Sequence, residues 1–469
     1  MICFEFYHVL LKIKTGYRIL FLLKSSVRLY IEFSTKSGYL PLTLLISILR
    51  CQRIYELEYA SVSGKMKRES FVKLGIVLII IAILSISFYL LNQPNSDEYV
   101  QNNINGDADV DNYFSSEMLL SASKMAGNYL INATSNEGVF AYIYDALHDS
   151  INISQYNILR HAGTTYSMLQ LYDVTKDERL LNKSQKAIEI LLNFEKPYDN
   201  ASCIVFGDEM KLGGNALAVI ALAEYTKVTG NDIFLSSMQN LTKYIKKSQM
   251  ETGEFLCKRY YSTGEVSDFV SEYYPGEALL ALCRLYSIDN NETWLDVAEK
   301  GAQYLILVRD GNISTYNLIH DHWLLMALNE LYRYRNDSLY LNQSMRIAES
   351  IIHTQKDGVN IKVDNPNLIG SYASPRGTPT ATRSEGIIAA YHLSNDFGNA
   401  TEAKKILNSI KLGIKFQLQL QFTKENVVDL PNPQRSLGGF TDYFTTYDIR
   451  IDYVQHNLCS ILGLYHILN

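Results

Sequence analysis

The string HDHW, His320 to Trp323, sets a carboxyl between two imidazoles and beside an indole. Imidazole titrates near neutrality, and charge and desolvation from such neighbours can tune the protonation of Asp321. Related combinations recur along the chain: Arg160 with His161, Glu272 to Glu277 with Tyr273 and Tyr274, Arg383 with Glu385, and Arg450 with Asp452, Gln455 and His456. Two chemistries use such sets. Cleaving a glycosidic bond needs two carboxyl groups flanking it, one protonated and one activating water or attacking directly. Asp321, Glu277 and Asp452 fit those roles, with Glu385 behind them. Proton transfer beside a carbonyl or carboxylate needs a base and an acid on opposite ring faces, plus a cation for the enolate-like intermediate. His161, His322, His456 and Tyr447 can exchange the proton, with Arg383 or Arg450 as the cation. Plainer roles compete. Asp321 also reads as a helix N-cap, and Arg383 with Glu385 or Arg450 with Asp452 as internal ion-pair struts. His320 and His322 are a weak metal-ligand spacing and no zinc-type cysteine spacing exists, so neither a metal nor a cofactor is expected.

Residues this scattered need a scaffold, and a repeat supplies one. Units begin at Arg160 (RHAGTTYSMLQLYDVTKDERLLNKSQKAIEILLNF), Gly213 (GGNALAVIALAEYTKVTG), Pro275 (PGEALLALCRLYSIDNNETW), His320 (HDHWLLMALNELYRYRND) and Thr382 (TRSEGIIAAYHLSNDFGNAT). Each is a helical hairpin whose first helix is apolar on most faces and whose second has a polar side, so the firsts form an inner layer and the seconds an outer one. The C-terminal segment IRIDYVQHNLCSILGLYHILN is an inner helix without an outer mate, and SSEMLLSASKMAGNYLI, residues 115–131, is an outer helix without an inner one. Pairing them makes a sixth hairpin and closes a ring: an all-α (α/α)6 toroid over residues 114–469, with an open solenoid as the alternative.

Connections within units are short (VTKDE, VTGND, IDNNE, YRND) and those between units are long. All the long loops therefore share one rim with the N-termini of the inner helices, where the polar residues above collect while the helices beyond turn apolar. Tyr260, Tyr261, Tyr372, Phe440, Tyr443, Phe444 and Tyr447 join them from the loops. Aromatic faces stack on sugars while Asp, Asn, Gln and Arg address hydroxyls. Arg160, Asn215, Tyr273, Tyr274, Trp323, Arg383, Glu385, Tyr447, Arg450 and Gln455 are the expected binding groups. Converging helix N-termini and Arg160, Arg259, Arg376, Arg383 and Arg450 favour an anionic sugar.

On RHAGTTY, YYPGEALLAL, HDHWLLMAL, TRSEGIIAAY and GGFTDYFTTYDIRIDYVQH the architecture resembles the six-hairpin glycosidase superfamily, including unsaturated glucuronyl hydrolases, N-acylglucosamine 2-epimerases and glucuronyl carbon-5 epimerases. The resemblance implies carbohydrate chemistry in the funnel without choosing the reaction. A glycoside hydrolase acting on a surface or extracellular, acidic polysaccharide is the leading expectation. A sugar epimerase or lyase, and a non-catalytic glycan-binding protein, are the alternatives.

Residues 74–91, LGIVLIIIAILSISFYLL, carry no charge, follow Lys67, Arg68 and Lys73, and precede Asp97 and Glu98. This predicts an uncleaved membrane anchor within residues 66–92, basic side inside, then a polar linker at 93–113 and an extracytoplasmic domain. Residues 1–65 are a basic, aromatic-rich extension without clear period, and Met66 stands as an alternative start. Asn-X-Ser/Thr sequons at Asn132, Asn152, Asn182, Asn200, Asn240, Asn291, Asn312, Asn336, Asn342 and Asn399 agree with export. Cys203 and Cys257, in loops, are a candidate disulfide; Cys283 and Cys459 read as buried thiols. A net charge of -6 and no basic stripe exclude general nucleic-acid binding.

Overall fold

The computed structural model describes residues 113–469 and, ahead of them, strands β1 (Val9–Lys12), β2 (Arg18–Lys24) and β3 (Arg28–Ser34). The chain divides into two units, residues 1–103 and 104–469. In the first, β1, β2 and β3 form an antiparallel meander with Val9 opposite Phe21 and Arg18 opposite Ser34, in a stretch whose sequence shows no clear period. The expected anchor at 74–91, most of the linker and the alternative start at Met66 lie outside the described residues. Among the described residues, no helix is long and apolar enough to cross a membrane.

The second unit is built from helices that alternate in character. α1 (Ser116–Ala133), α3 (Glu178–Leu192), α5 (Leu235–Lys247), α7 (Glu292–Gln303), α9 (Ser338–His353) and α11 (Ala400–Leu418) are the outer set. α2 (Ile158–Thr175), α4 (Leu212–Thr229), α6 (Tyr274–Asp289), α8 (His322–Arg335), α10 (Gly377–Phe397) and α12 (Ile451–Leu468) are the inner set. Burial follows the patterning: α3 buries Leu180, Ser184, Ala187, Ile188 and Leu191 on one stripe, whereas α4 is buried at every position from Leu212 to Tyr225. Each inner helix packs on the next, and α12 packs on both α2 and α1, so the ring closes as the sequence predicts. The Gln421 amide donating to the Ala122 carbonyl at 2.9 Å reinforces that closure.

Turn chemistry explains the tight hairpins. Lys176, Gly230 and Asn290 adopt left-handed conformations at φ 52°, 71° and 52°, ending α2, α4 and α6. Asp177, Asn291 and Asp337 then cap α3, α7 and α9 through their side-chain oxygens.

Three features depart from expectation. First, the toroid's rim is not purely helical. β10 (Asp448–Arg450), β4 (Ile143–Asp145) and β5 (Ser150–Asn152) form one antiparallel sheet, and β6 (Glu195–Tyr198), β7 (Ala201–Phe206), β8 (Glu209–Lys211) and β9 (Lys258–Tyr260) another. β8 lies between β7 and β9, so Cys203 and Cys257 sit about two strand spacings, roughly 10 Å, apart, beyond disulfide reach, and both are free thiols. Second, α10 starts at Gly377 with Pro379 in its first turn, where a missing N–H costs nothing. Arg383 and Glu385 therefore stand in its second and third turns, not at its start. Third, the inner helices do not simply turn apolar. Arg284 on α6 bridges Glu224 on α4 at 2.9 Å and Glu330 on α8 at 2.5 Å, and Lys227 reaches Glu224 at 2.9 Å. The Glu224 side chain is fully buried.

Candidate functional site

Three inner helices bring His322, Glu385 and His456 together. His322 is the first residue of α8, Glu385 lies about 12 Å along α10, and His456 begins the second turn of α12. One ligand-capable atom from each lies within 4.8 Å of the other two. His456 Nδ1 and Glu385 Oε1 are 2.7 Å apart, and the His322 and His456 rings meet edge to face with centroids 5.4 Å apart. Close backbone approach makes this possible, since a side chain on Gly386 of α10 would press on His322.

The polar groups here are unusually unsatisfied. Both ring nitrogens of His322 and the Glu385 Oε2 are buried without a hydrogen-bond partner. Each such atom costs about 1–3 kcal/mol in a folded protein. Burial pushes the His322 pKa well below the ordinary imidazole value, aided by the charges of His456 and Arg383, so His322 is neutral at pH 7. Burial raises the Glu385 carboxyl, and the His456 imidazole pulls it back. Tyr273 lies at 6.0 Å from the His322 ring and Trp323 at 4.8 Å. Tyr273 is 42% exposed, whereas Trp323, 3% exposed, belongs to the core.

Beside this triad, Arg383 donates from Nε to His320 Nδ1 at 2.9 Å and from Nη1 to the Pro379 carbonyl at 2.8 Å. Among the described residues no carboxylate pairs with it, so the expected Arg383–Glu385 strut does not form. Burial and the Arg383 charge drop His320 to about 4, keeping it a neutral acceptor.

Glu277 and Asp321 occupy neighbouring helix starts. Asp321 Oδ1 caps α8 by accepting from the Leu324 N–H at 3.1 Å, so the capping role is real, while its Oδ2 and the Glu277 Oε2 lack partners. Burial lifts Asp321 to about 7 against the charge of Arg309. Burial and the Asp321 charge lift Glu277 well above the carboxylate range. Both are sealed: Asp321 nests on Gly276, Glu277 on Gly213 and Tyr274, and they are 0% and 5% exposed.

The other predicted residues divide. Asp452 is held by Arg160 Nε at 2.9 Å and by Arg450 Nε and Nη2 at 2.5 and 2.8 Å, so it forms the strut rather than a free carboxylate. Arg160 also donates to the Tyr142 hydroxyl at 2.6 Å. Gln455 lies against Gly163 on α2. His161 lies outside the cluster: it is fully buried, Nδ1 is 2.7 Å from the Tyr156 hydroxyl and Nε2 is 2.7 Å from the Ala187 carbonyl on α3. Consecutive helical residues point about 100° apart, so Arg160 and His161 cannot both face the basin. Asn215 pins the β6–β9 sheet to α4, accepting from the Ile204 N–H and donating to the Lys211 carbonyl at 2.8 Å each. Tyr372 and Phe440 are fully buried packing residues, whereas Tyr447 is 38% exposed. Arg309, whose Nη1 is buried without a partner, acts on Asp321 and was not anticipated, because its segment reads as the end of an outer helix.

No known protein family and no curated protein matches this chain by sequence. Solved structures match its fold. Cellobiose 2-epimerase from Bacillus thermoamylovorans B4167 aligns at TM-score 0.58 and 14% identity over 74% of this chain and 98% of its own. A D-mannose isomerase aligns at 0.56 and 12%, over 78% and 100%. The alpha-1,6-mannanase of Salegentibacter sp. HEL1_6, solved as an inactive variant with alpha-1,6-mannotriose, aligns at 0.53 and 14%, over 75% and 100%. The domain thus has the (α/α)6 toroid fold of these structures, among which are a sugar epimerase, a sugar isomerase and a mannanase.

Proposed function

We propose that this chain is a carbohydrate-active enzyme that moves a proton at a sugar carbon beside a carbonyl, as a sugar isomerase or 2-epimerase does. The observation that carries the reading is the facing pair His322 and His456, with Glu385 behind it. Neutral His322 is the base that takes the C–H proton, and His456, oriented by its hydrogen bond to Glu385, returns a proton to the adjacent atom. Arg383, uncommitted to any carboxylate, stabilises the enolate-like charge and favours a uronate or another acidic sugar. The exposed ring of Tyr273 offers a stacking face. Spacing refines the chemistry: clamping a pyranose between two imidazoles needs about 7 Å, twice a van der Waals contact, and the rings are 5.4 Å apart. The pair therefore works on one face of an open-chain sugar, instead of the opposed faces expected from sequence.

Glycoside hydrolysis is the second reading, carried by Glu277 and Asp321, whose coupled carboxyls suit an acid and base pair. Asp321 Oδ1 is already committed to capping α8, and that places it second. For location, we place the domain outside the cell, tethered through residues 74–91; none of the ten sequon asparagines is buried, and all except Asn240 are exposed.

The test is incubation of residues 95–469 with reducing aldoses, uronates and oligosaccharides in deuterated water. Isomerised or epimerised product carrying one deuterium supports the reading. New reducing ends without deuterium would move the assignment to hydrolysis through Glu277 and Asp321.

A further inference from the structure

We propose that His322, Glu385 and His456 form a binding site for one divalent first-row transition-metal ion of the Zn2+ or Co2+ class, an ion that competes with proton transfer. The inference stands on the geometry of the triad and survives if the isomerase reading fails. Two imidazoles and one carboxylate are a donor set that such ions take with an open fourth position, while hard ions such as Mg2+ prefer oxygen and water.

Three observations point to a cation. The donor atoms lie within 4.8 Å of one another. Around a tetrahedral ion, with bonds of about 2.0–2.1 Å, donors stand about 3.4 Å apart, so each atom needs to move by less than about 1 Å. The atoms are also waiting: both His322 nitrogens and Glu385 Oε2 are buried without partners, at 4% and 5% residue exposure. Finally, His456 Nδ1 and Glu385 Oε1 already stand 2.7 Å apart, so two of the donors are side by side before an ion arrives.

The experiment titrates chelator-treated residues 95–469 with CoCl2, following visible ligand-field absorbance, with Zn2+ as competitor and MgCl2 as control. One Co2+ per chain is expected, displaced by Zn2+ and ignored by Mg2+. Glu385→Gln is expected to weaken binding about 10–100-fold and His322→Gln to abolish it. The variant His148→Gln, at an exposed histidine hydrogen-bonded to Asp145, is expected to change nothing. Competition between Co2+ and Zn2+ on the unmodified protein gives a readout that needs no variant. No absorbance at millimolar Co2+, or full binding retained by folded His322→Gln, overturns the proposal. Deuterium exchange without metal binding would leave the isomerase reading standing alone.

Discussion

Replacing Arg284 by methionine tests what holds the inner ring together below the basin. Arg284 ties Glu224 at 2.9 Å and Glu330 at 2.5 Å, and these three residues come from α6, α4 and α8. Glu224 keeps Lys227 at 2.9 Å in the variant, so its charge retains one partner. Glu330, with its side chain 21% exposed, is left alone. Breaking a buried ion pair at one partner costs about 3–5 kcal/mol, chiefly the penalty of the stranded charge. For a domain of this size, unfolding entropy of about 2.1 cal/mol/K per residue converts about 4 kcal/mol into a fall in Tm of about 5 °C. Burial already lifts Glu330 above the ordinary carboxylate range, so the stranded group takes up a proton as pH falls. The deficit is therefore expected to be largest near pH 7.5 and to shrink toward pH 5. Adding Glu330→Met to Arg284→Met is expected to recover most of the loss, because apolar replacements of both partners are often neutral. The assay is thermal and urea unfolding of residues 95–469 at both pH values. A single variant within about 1 kcal/mol of the parent at pH 7.5 would show that the cluster does not carry this load.

Three further outcomes follow from the basin. His322→Gln is expected to lower kcat by about 10²–10⁴ with little change in Tm, read by deuterium incorporation; an unchanged rate removes it as the base. Arg383→Gln is expected to lower kcat for neutral and acidic sugars alike and, in addition, to raise KM about 10–100-fold for a uronate only, since a charge-assisted hydrogen bond is worth about 1.5–3 kcal/mol. Asp321, raised from 3.8 to about 7, keeps a proton in the folded state that the unfolded chain has released between those values. Its contribution to stability is thus present below about pH 4 and lost as pH rises to 7. Asp321→Asn preserves the cap and is expected to flatten that decline in urea midpoints between pH 4.5 and 7; an identical slope would mean the carboxyl is not held protonated.

The helical layers were legible because each helix writes its own burial into a local period. Ring closure was legible too, since two unmatched helices needed one another. The site was read less well. The repeat unit read from sequence begins at Thr382, which puts Arg383 and Glu385 at the start of α10, whereas the helix begins at Gly377 and holds them deep along it. His161 looked equivalent to His456 because sequence order ignores the rotation between successive side chains. Arg284, Glu224 and Glu330 sat among apolar residues with partners 46 and 60 positions away, and nothing local announces such a pairing. The rim strands did leave a signal: Asp199 with Asn200 and Gly207 with Asp208 are two-residue hairpin turns, with φ of 51° at Asp199 and 66° at Gly207.

Closure through α1 and α12 makes assembly of the basin a late event during synthesis. The first outer helix ends at Ala133, and the inner helix it must cover begins at Ile451. At about 5–20 residues per second, tens of seconds separate the two on the ribosome. Throughout that interval the growing chain presents uncovered flanks on α1 and α2, and His322 and Glu385 are made before His456 exists. Any holding factor that attends this protein meets an unfinished ring with its apolar edge open, and release must wait for the last hairpin to snap shut.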